Sequence, residues 1–264
     1  MNKTEILQNE LKELKLFIGY DEINAVMTQA EKENIGFLEY TLRLLKKEFA
    51  IRNSRRIGKN LKISHLPQNC DLNKYDYSSC NGLTKTQINQ LREMRWLEDK
   101  YNLIILGPPG TGKTYVASGL GFDAIKTGYR VLFRTMDEII STMKLKEATI
   151  SAEREYKRLS EAELVIIDDM MSFPLDKSDA VNLFHLVNKL HEKSSLIITT
   201  NKEPGEWNQS LNDEAVAAAI LDRLMYKCQP ITLRGKSYRL ENRKTIFSKS
   251  QSKQNEKFNS ISQK

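Results

Sequence analysis

The sequence predicts an α/β protein: a parallel sheet flanked by helices on both faces, preceded by a small all-helical N-terminal domain. Three observations predict it. Five short apolar runs, Leu103–Leu106, Val131–Phe133, Leu164–Ile167, Leu196–Ile198 and Ile231–Leu233, are mostly separated by helical segments. Runs of that length and spacing fit strands buried on both faces and joined by crossover helices. The first run leads straight into a Gly-rich turn that opens a helix, and residues 4–63 carry apolar side chains at helical spacing.

Taken in order, residues 4–18 place Ile6, Leu7, Leu11, Leu14 and Ile18 on one helix face, and Gly19-Tyr20 breaks the run. Asp21 is suited to cap a helix over residues 22–33. Residues 37–63 read as one long helix, with Leu38, Leu42, Leu45, Phe49 and Arg52 at steps of three or four. Eight basic residues lie between Arg43 and Lys62 against one acid, Glu48. That run is either a solvated face or a phosphate-contacting one, with Arg52, Arg55, Arg56 and Lys59 as the DNA-binding candidates. Residues 67–82 are polar and turn-rich, and a helix is expected from Thr84 to about Asp99. The expected division is a helical domain over 1–66, a connecting segment and helix over 67–100, the sheet domain over 101–247, and a disordered tail over 248–264.

With 40% hydrophobic and 28% charged residues, the 264-residue chain has ordinary globular composition. No apolar stretch approaches the ~18 residues of a membrane span, and the N-terminus has no signal-peptide core, so a cytoplasmic location and no membrane partner are expected. Cys70, Cys80 and Cys228 lack zinc spacing, and His65, His185 and His191 form no ligand pattern. The net charge of +7 permits a polyanionic partner without requiring one.

Gly107-Pro108-Pro109-Gly110-Thr111-Gly112-Lys113-Thr114, followed by Tyr115, matches G-x-x-x-x-G-K-[ST] between a strand and a helix. Glycines there let successive N–H groups point at phosphate oxygens, aided by the helix dipole. Lys113 supplies a point charge for the β- and γ-phosphates of ATP, and Thr114 a hydroxyl for Mg²⁺. The run Leu164–Ile167 ends in Asp168-Asp169, 55 residues after Lys113. Asp168 is expected to hold Mg²⁺ and Asp169 to act as general base or orienter of the attacking water, although Asp169 would also serve as a simple cap. Asn201 ends the next strand, where it would sit beside the γ-phosphate.

The order of these motifs resembles the AAA+ ATPases. Arg95-Trp96-Leu97, Ala217-Ala218-Ala219-Ile220-Leu221-Asp222-Arg223-Leu224 and Gly235-Lys236-Ser237-Tyr238-Arg239 narrow the resemblance to the IstB family, ATPase helpers of two-gene insertion sequences. The likeness runs from about Leu11 to Lys244. It implies a P-loop fold, but only 63 residues follow Asn201, so the helical lid usual in AAA+ proteins is expected to be minimal or absent. It also implies Arg223 as an arginine finger supplied to a neighbouring subunit, and Arg239 as sensor 2. Arg223 could instead pair with Asp222 or Glu241. Self-association into a ring or helix, a duplex-DNA partner and a partner transposase follow from the same resemblance. Lys144 and Lys146 would then face a central channel. A helicase loader and an assembly-only nucleotide switch are the alternatives.

Overall fold

A computed structural model of the chain describes residues 2–68, 70–77 and 82–241. Cys80 and the expected tail, 248–264, lie outside those residues. The N-terminal helices are α1 (Lys3–Glu13), α2 (Tyr20–Glu33) and α3 (Phe37–Ser64). The first ends earlier than its periodicity suggested. Lys15 turns left-handed at φ 53°, and the Leu16 N–H bonds back to the Leu11 carbonyl at 2.8 Å. The second is capped at Gly19 rather than Asp21, because Glu22 reaches back to the Gly19 N–H at 3.0 Å. Glu48, buried on α3, accepts the N–H groups of Phe17 and Ile18 at 2.8 Å each and pairs with Arg52. One carboxylate thus ties the α1–α2 link to the long helix.

After α3 the chain forms α4 (Lys85–Arg92) and α5 (Arg95–Glu98), then β1 (Asn102–Leu106), α6 (Lys113–Thr127), β2 (Val131–Thr135), α7 (Met136–Leu145), α8 (Ile150–Glu161) and β3 (Leu164–Asp168). It continues through α9 (Lys177–Leu190), β4 (Ser195–Thr200), α10 (Trp207–Leu211), α11 (Glu214–Met225), β5 (Cys228–Thr232) and α12 (Tyr238–Glu241). The single helix expected over 84–99 is two, because Met94 adopts a left-handed φ of 61° between them.

The five strands of the described residues are all parallel, in the order β2-β3-β4-β1-β5. Every residue of β1, β3 and β4 is buried. Ile104, Leu106, Val165, Ile167, Leu196 and Ile198 pack under α7, α9, α10 and α11. Leu103, Ile105, Leu164, Ile166 and Ile197 pack on the opposite face under α6. Each such aliphatic side chain contributes roughly 1.5–3 kcal/mol when fully buried. The second core also takes in Leu72, Leu83, Ile88, Met94 and Leu97, so the connecting segment is part of the packed body. Trp207 is fully buried and donates to the Lys202 carbonyl at 3.3 Å, anchoring the loop after Asn201. Met170 and Met171 are core residues.

Arg134, 3% exposed near the end of β2, joins the N-terminal helices to this body. Its guanidinium donates to the carbonyl of Ser64, the last residue of α3, at 3.1 Å and to Glu155 on α8 at 2.7 Å. A cation at a helix C-terminus also complements the helix dipole.

Among the described residues, no helical lid follows β5; the chain makes only the four-residue α12. None of the described helices is long and apolar enough to cross a membrane.

Gly119, on the buried face of α6, lets Leu72 close against the helix: an added Cβ would stand 2.5 Å from Leu72 Cγ. Gly119→Val is expected to cost about 1–3 kcal/mol through overpacking. Urea denaturation followed by circular dichroism checks this, and a midpoint unchanged from wild type contradicts it.

Candidate functional site

The glycine-rich loop spans the gap between β1 and α6 at the C-terminal edge of the sheet. Gly110 has φ 83°, and a Cβ there would lie 2.1 Å from Ser237 Oγ. The position therefore requires glycine, and the loop is pressed from above by the segment after β5. The Tyr238 N–H donates to the Gly110 carbonyl at 3.0 Å. Lys113 is 7% exposed, and its ammonium donates to the carbonyls of Gly107 at 2.7 Å and Pro108 at 3.0 Å. Burial lowers the Lys113 pKa and Arg239 adds to that, while Asp169 and Asp168 oppose it.

Parallel register sets Thr135 of β2 opposite Asp168, the last residue of β3. The Asp168 carboxylate accepts the hydroxyl of Thr114 at 2.9 Å and that of Thr199 at 2.5 Å. Burial pushes its pKa up; Asp169 acts in the same direction, against the two hydroxyls and Lys113. The Thr199 hydroxyl also accepts the Asp169 N–H at 3.0 Å. Asp169 is left-handed, at φ 54°, and faces the cavity. The next helix is capped by Asp176, whose carboxylate takes the Asp179 N–H at 2.8 Å. Asp169 is therefore not that helix's cap.

These elements enclose a cavity of about 790 Å³, lined by Pro109 to Tyr115 together with Asp169, Asn201 and Arg239. Lys113, Thr114, Asp169, Asn201 and Arg239, expected from sequence to act together, do converge. Asp168 lies behind Thr114, and Gly107 and Pro108 meet the site through their carbonyls. Three features of the site carried no assignment from sequence. Lys74, Tyr75 and Asp76 form one wall, and Tyr75 stacks on Tyr115 with ring centroids 6.0 Å apart. Thr199 orients both acids. Phe173 stands 66% exposed on the loop after the acid pair and also lines the cavity. The aromatic spacing of Tyr75-Asp76-Tyr77 and the paired hydroxyls of Thr199-Thr200 were the available signals.

Arg223 does not line this cavity. On α11 it donates to Asn188 Oδ1 at 2.8 Å and to the Ala219 carbonyl at 2.9 Å, with its guanidinium over the Phe184 ring at 4.8 Å. These contacts, and not the alternative pairing with Asp222 or Glu241, are the ones it makes.

The basic candidates are dispersed. Arg52 and Arg55 both lie over the Phe17 ring, at 5.1 and 4.5 Å. Arg56 donates to Asn53 at 2.9 Å, and Lys59 is exposed. Lys144 is paired with Asp179 at 2.8 Å, and Lys146 lies 4.9 Å above the Tyr156 ring.

A phosphate loop with a buried lysine, a strand ending in two acids and a polar residue ending the adjacent strand, on this strand order, define an AAA+ ATP-binding module. The fold matches the solved structure of DnaI, with TM-score 0.54 and 16% identity over 64% of this chain and 95% of that one. It also matches the DnaC helicase loader, at 0.51 and 18% over 63% and 98%. Residues 9–246 match the model of the IstB-like ATP binding protein family, and the chain belongs to that family. An insertion sequence IS21-like ATP-binding protein of Bacteroides fragilis is 42% identical over 237 residues, 90% of each chain. The IS21 ATP-binding protein of Pseudomonas aeruginosa is 32% identical, covering 92% of this chain and 91% of its own.

The buried Asp168 carboxylate has a direct consequence for stability. Its pKa is raised in the folded protein. The charged form therefore costs stability above the ordinary carboxylate range, and the cost disappears as pH falls and the group protonates. Asp168→Asn is expected to raise the melting temperature of the nucleotide-free protein at pH 7.5, with the gain shrinking toward acid pH. Differential scanning fluorimetry across pH measures this; an equal or lower melting temperature at pH 7.5 contradicts it.

Proposed function

We propose that the protein is an ATP-hydrolysing, DNA-binding regulator of transposition. In this reading it assembles on duplex DNA and stimulates a partner transposase. The observation that carries the ATPase reading is the convergence of Lys113, Thr114, Asp168, Asp169 and Asn201 around one glycine-rich loop. The transposition reading is supported by membership of the family and by relatives named for insertion sequences. Residues 1–66 form the helical N-terminal domain, 67–100 the connecting segment and 101–247 the ATPase domain in this proposal.

Oxygen ligands alone meet at Thr114 and Asp168, which suits a hard cation. The described residues include no cluster of three metal-ligating side chains. Thr114 and Asp168 would hold Mg²⁺ there, and the ion would supply neutralisation of phosphate charge. Lys113 exchanges its loop carbonyls for the β- and γ-phosphates. Asp169 and Asn201 orient the attacking water, and Arg239 contacts the phosphates as sensor 2. Tyr75 and Tyr115 offer a flat wall for the base.

Arg223 is remote from its own cavity, so in this proposal it serves a neighbouring subunit's γ-phosphate. Asp169→Asn is expected to keep nucleotide binding and lose hydrolysis by ~100-fold, and Arg223→Ala to lose turnover with monomer binding intact. Mixed together, the two variants should regain activity at mixed interfaces. Co-assembly without recovery at any ratio overturns the shared site.

DNA contact is assigned to Arg52, Arg55, Arg56 and Lys59 on α3 and to Lys144 and Lys146 at the α7–α8 turn. Engaging Lys144 requires its Asp179 pair to open. Phosphate contacts make binding largely sequence-independent and salt-sensitive, with four contacts losing about a hundredfold in affinity between 50 and 200 mM salt. Arg55→Glu with Arg56→Glu, and separately Lys144→Glu with Lys146→Glu, should each weaken binding in fluorescence anisotropy on a random duplex. Affinity indifferent to salt and to both charge reversals overturns the DNA reading.

A further inference from the structure

Strand β4 lies between the acid strand β3 and the phosphate-loop strand β1, so its last residues meet both halves of the site. Thr200 serves one side, its carbonyl accepting the Gly107 N–H at 3.3 Å. Thr199 serves the other. The β3–β4 ladder pairs Ile167 with Ile198, and one step further along both strands brings Thr199 to Asp168. Thr199 is fully buried and does not line the cavity. Any part it takes in the chemistry is therefore taken through its neighbours.

A hydroxyl has one proton to donate and two lone pairs that accept, and Thr199 uses both capacities. The proton goes to the Asp168 carboxylate at 2.5 Å, and the oxygen accepts the Asp169 N–H at 3.0 Å. The Thr199 carbonyl accepts the next N–H, that of Met170, at 2.8 Å. One residue thus holds two successive N–H groups of the turn after β3. Asp169, within that turn, has φ 54°, a conformation that costs a residue with a side chain roughly 1–3 kcal/mol and persists only where its surroundings impose it. Met170 and Met171, both fully buried, fix the turn from downstream, and the Thr199 hydroxyl fixes its start. The branched Cβ of threonine restricts χ1, which keeps the oxygen where both bonds are made. Valine has the same branch and makes neither bond.

We propose that Thr199 is a positioning residue for ATP hydrolysis. Its hydroxyl holds the Asp169 turn, and the turn aims the Asp169 carboxylate into the cavity at the attacking water. The inference rests on the ATPase reading and adds to it a residue that does not touch nucleotide. Thr199 therefore governs turnover and leaves nucleotide affinity alone, whereas a merely structural hydroxyl would lower the melting temperature with no selective change in kcat.

The test measures kcat and KM for ATP, the Kd of a fluorescent ATP analogue and the melting temperature, all on the full chain. Thr199→Val should lower kcat by about ten- to a hundredfold, the penalty of a displacement of about 1 Å at a reacting group. KM and Kd should stay within about threefold of wild type, since no contact to nucleotide is lost. Thr199→Ser keeps the hydroxyl and should hold kcat within about threefold. If the valine variant shows no melting transition, Thr199→Ala takes its place with the same loss expected. Added to Asp169→Asn, Thr199→Val should cost less than about threefold more, because the group it aims is already gone. A valine variant as fast as wild type, a serine variant as slow as the valine one, an additive double loss, or a loss carried by Kd rather than kcat would each overturn the proposal. A wild type that hydrolyses no ATP, alone or with DNA, overturns the ATPase reading itself and the positioning role with it.

Discussion

The Asp168 carboxylate is the point on which the architecture of the site turns. A buried carboxylate is costly unless hydrogen-bonded, and this one is held by a hydroxyl from the helix after β1 and a hydroxyl from β4. Those two bonds tie the phosphate loop, the acid strand and the strand bearing Asn201 to a common level. The strand order makes the arrangement possible. With β1 inserted between β4 and β5, and β3 beside β4, the three strand ends open on one crevice. Thr199 serves both acids, since its oxygen donates to one carboxylate and accepts the N–H of the next residue.

The crevice is completed by chain outside the sheet. The segment carrying Tyr75 comes from before β1 and rests on α6 through Leu72, while the segment carrying Arg239 comes from after β5 and rests on Gly110. Both are short and need close backbone approach, which is why glycines stand beneath each of them. The result is a walled crevice built with almost no additional helical structure among the described residues.

Much of this was legible in the sequence. Strands buried on both faces announce themselves as continuous apolar runs, and the phosphate loop has a spacing that its chemistry dictates. The long helix was readable from residue spacing alone. What sequence could not supply was direction and contact. Leu38, Leu42, Leu45 and Phe49 read as an ordinary helical face, yet nothing in their spacing tells which of two faces meets α1 and α2. The helix break at Met94 depends on one left-handed residue that has no local signal. Thr199 and Tyr75 are ordinary strand and loop residues until tertiary packing places them beside Asp168 and Tyr115. Arg223 was recognised by family likeness, but its partners, Asn188 and Phe184, are 35 and 39 residues away along the chain.

The anchorage of α3 by Arg134 has a mechanical consequence. Arg134 immediately precedes Thr135, which pairs with Asp168 and lines the cavity. The same guanidinium grips the last carbonyl of a 28-residue helix. That helix is about 42 Å long. Its C-terminal turns, from Ile57 on, lie against the body, so the projecting arm is about 30 Å long, and a change of about 10° in the angle at which it leaves the body would displace the far end by roughly 5 Å. A small shift at the strand edge would thus be enlarged at the far end of the N-terminal helical unit.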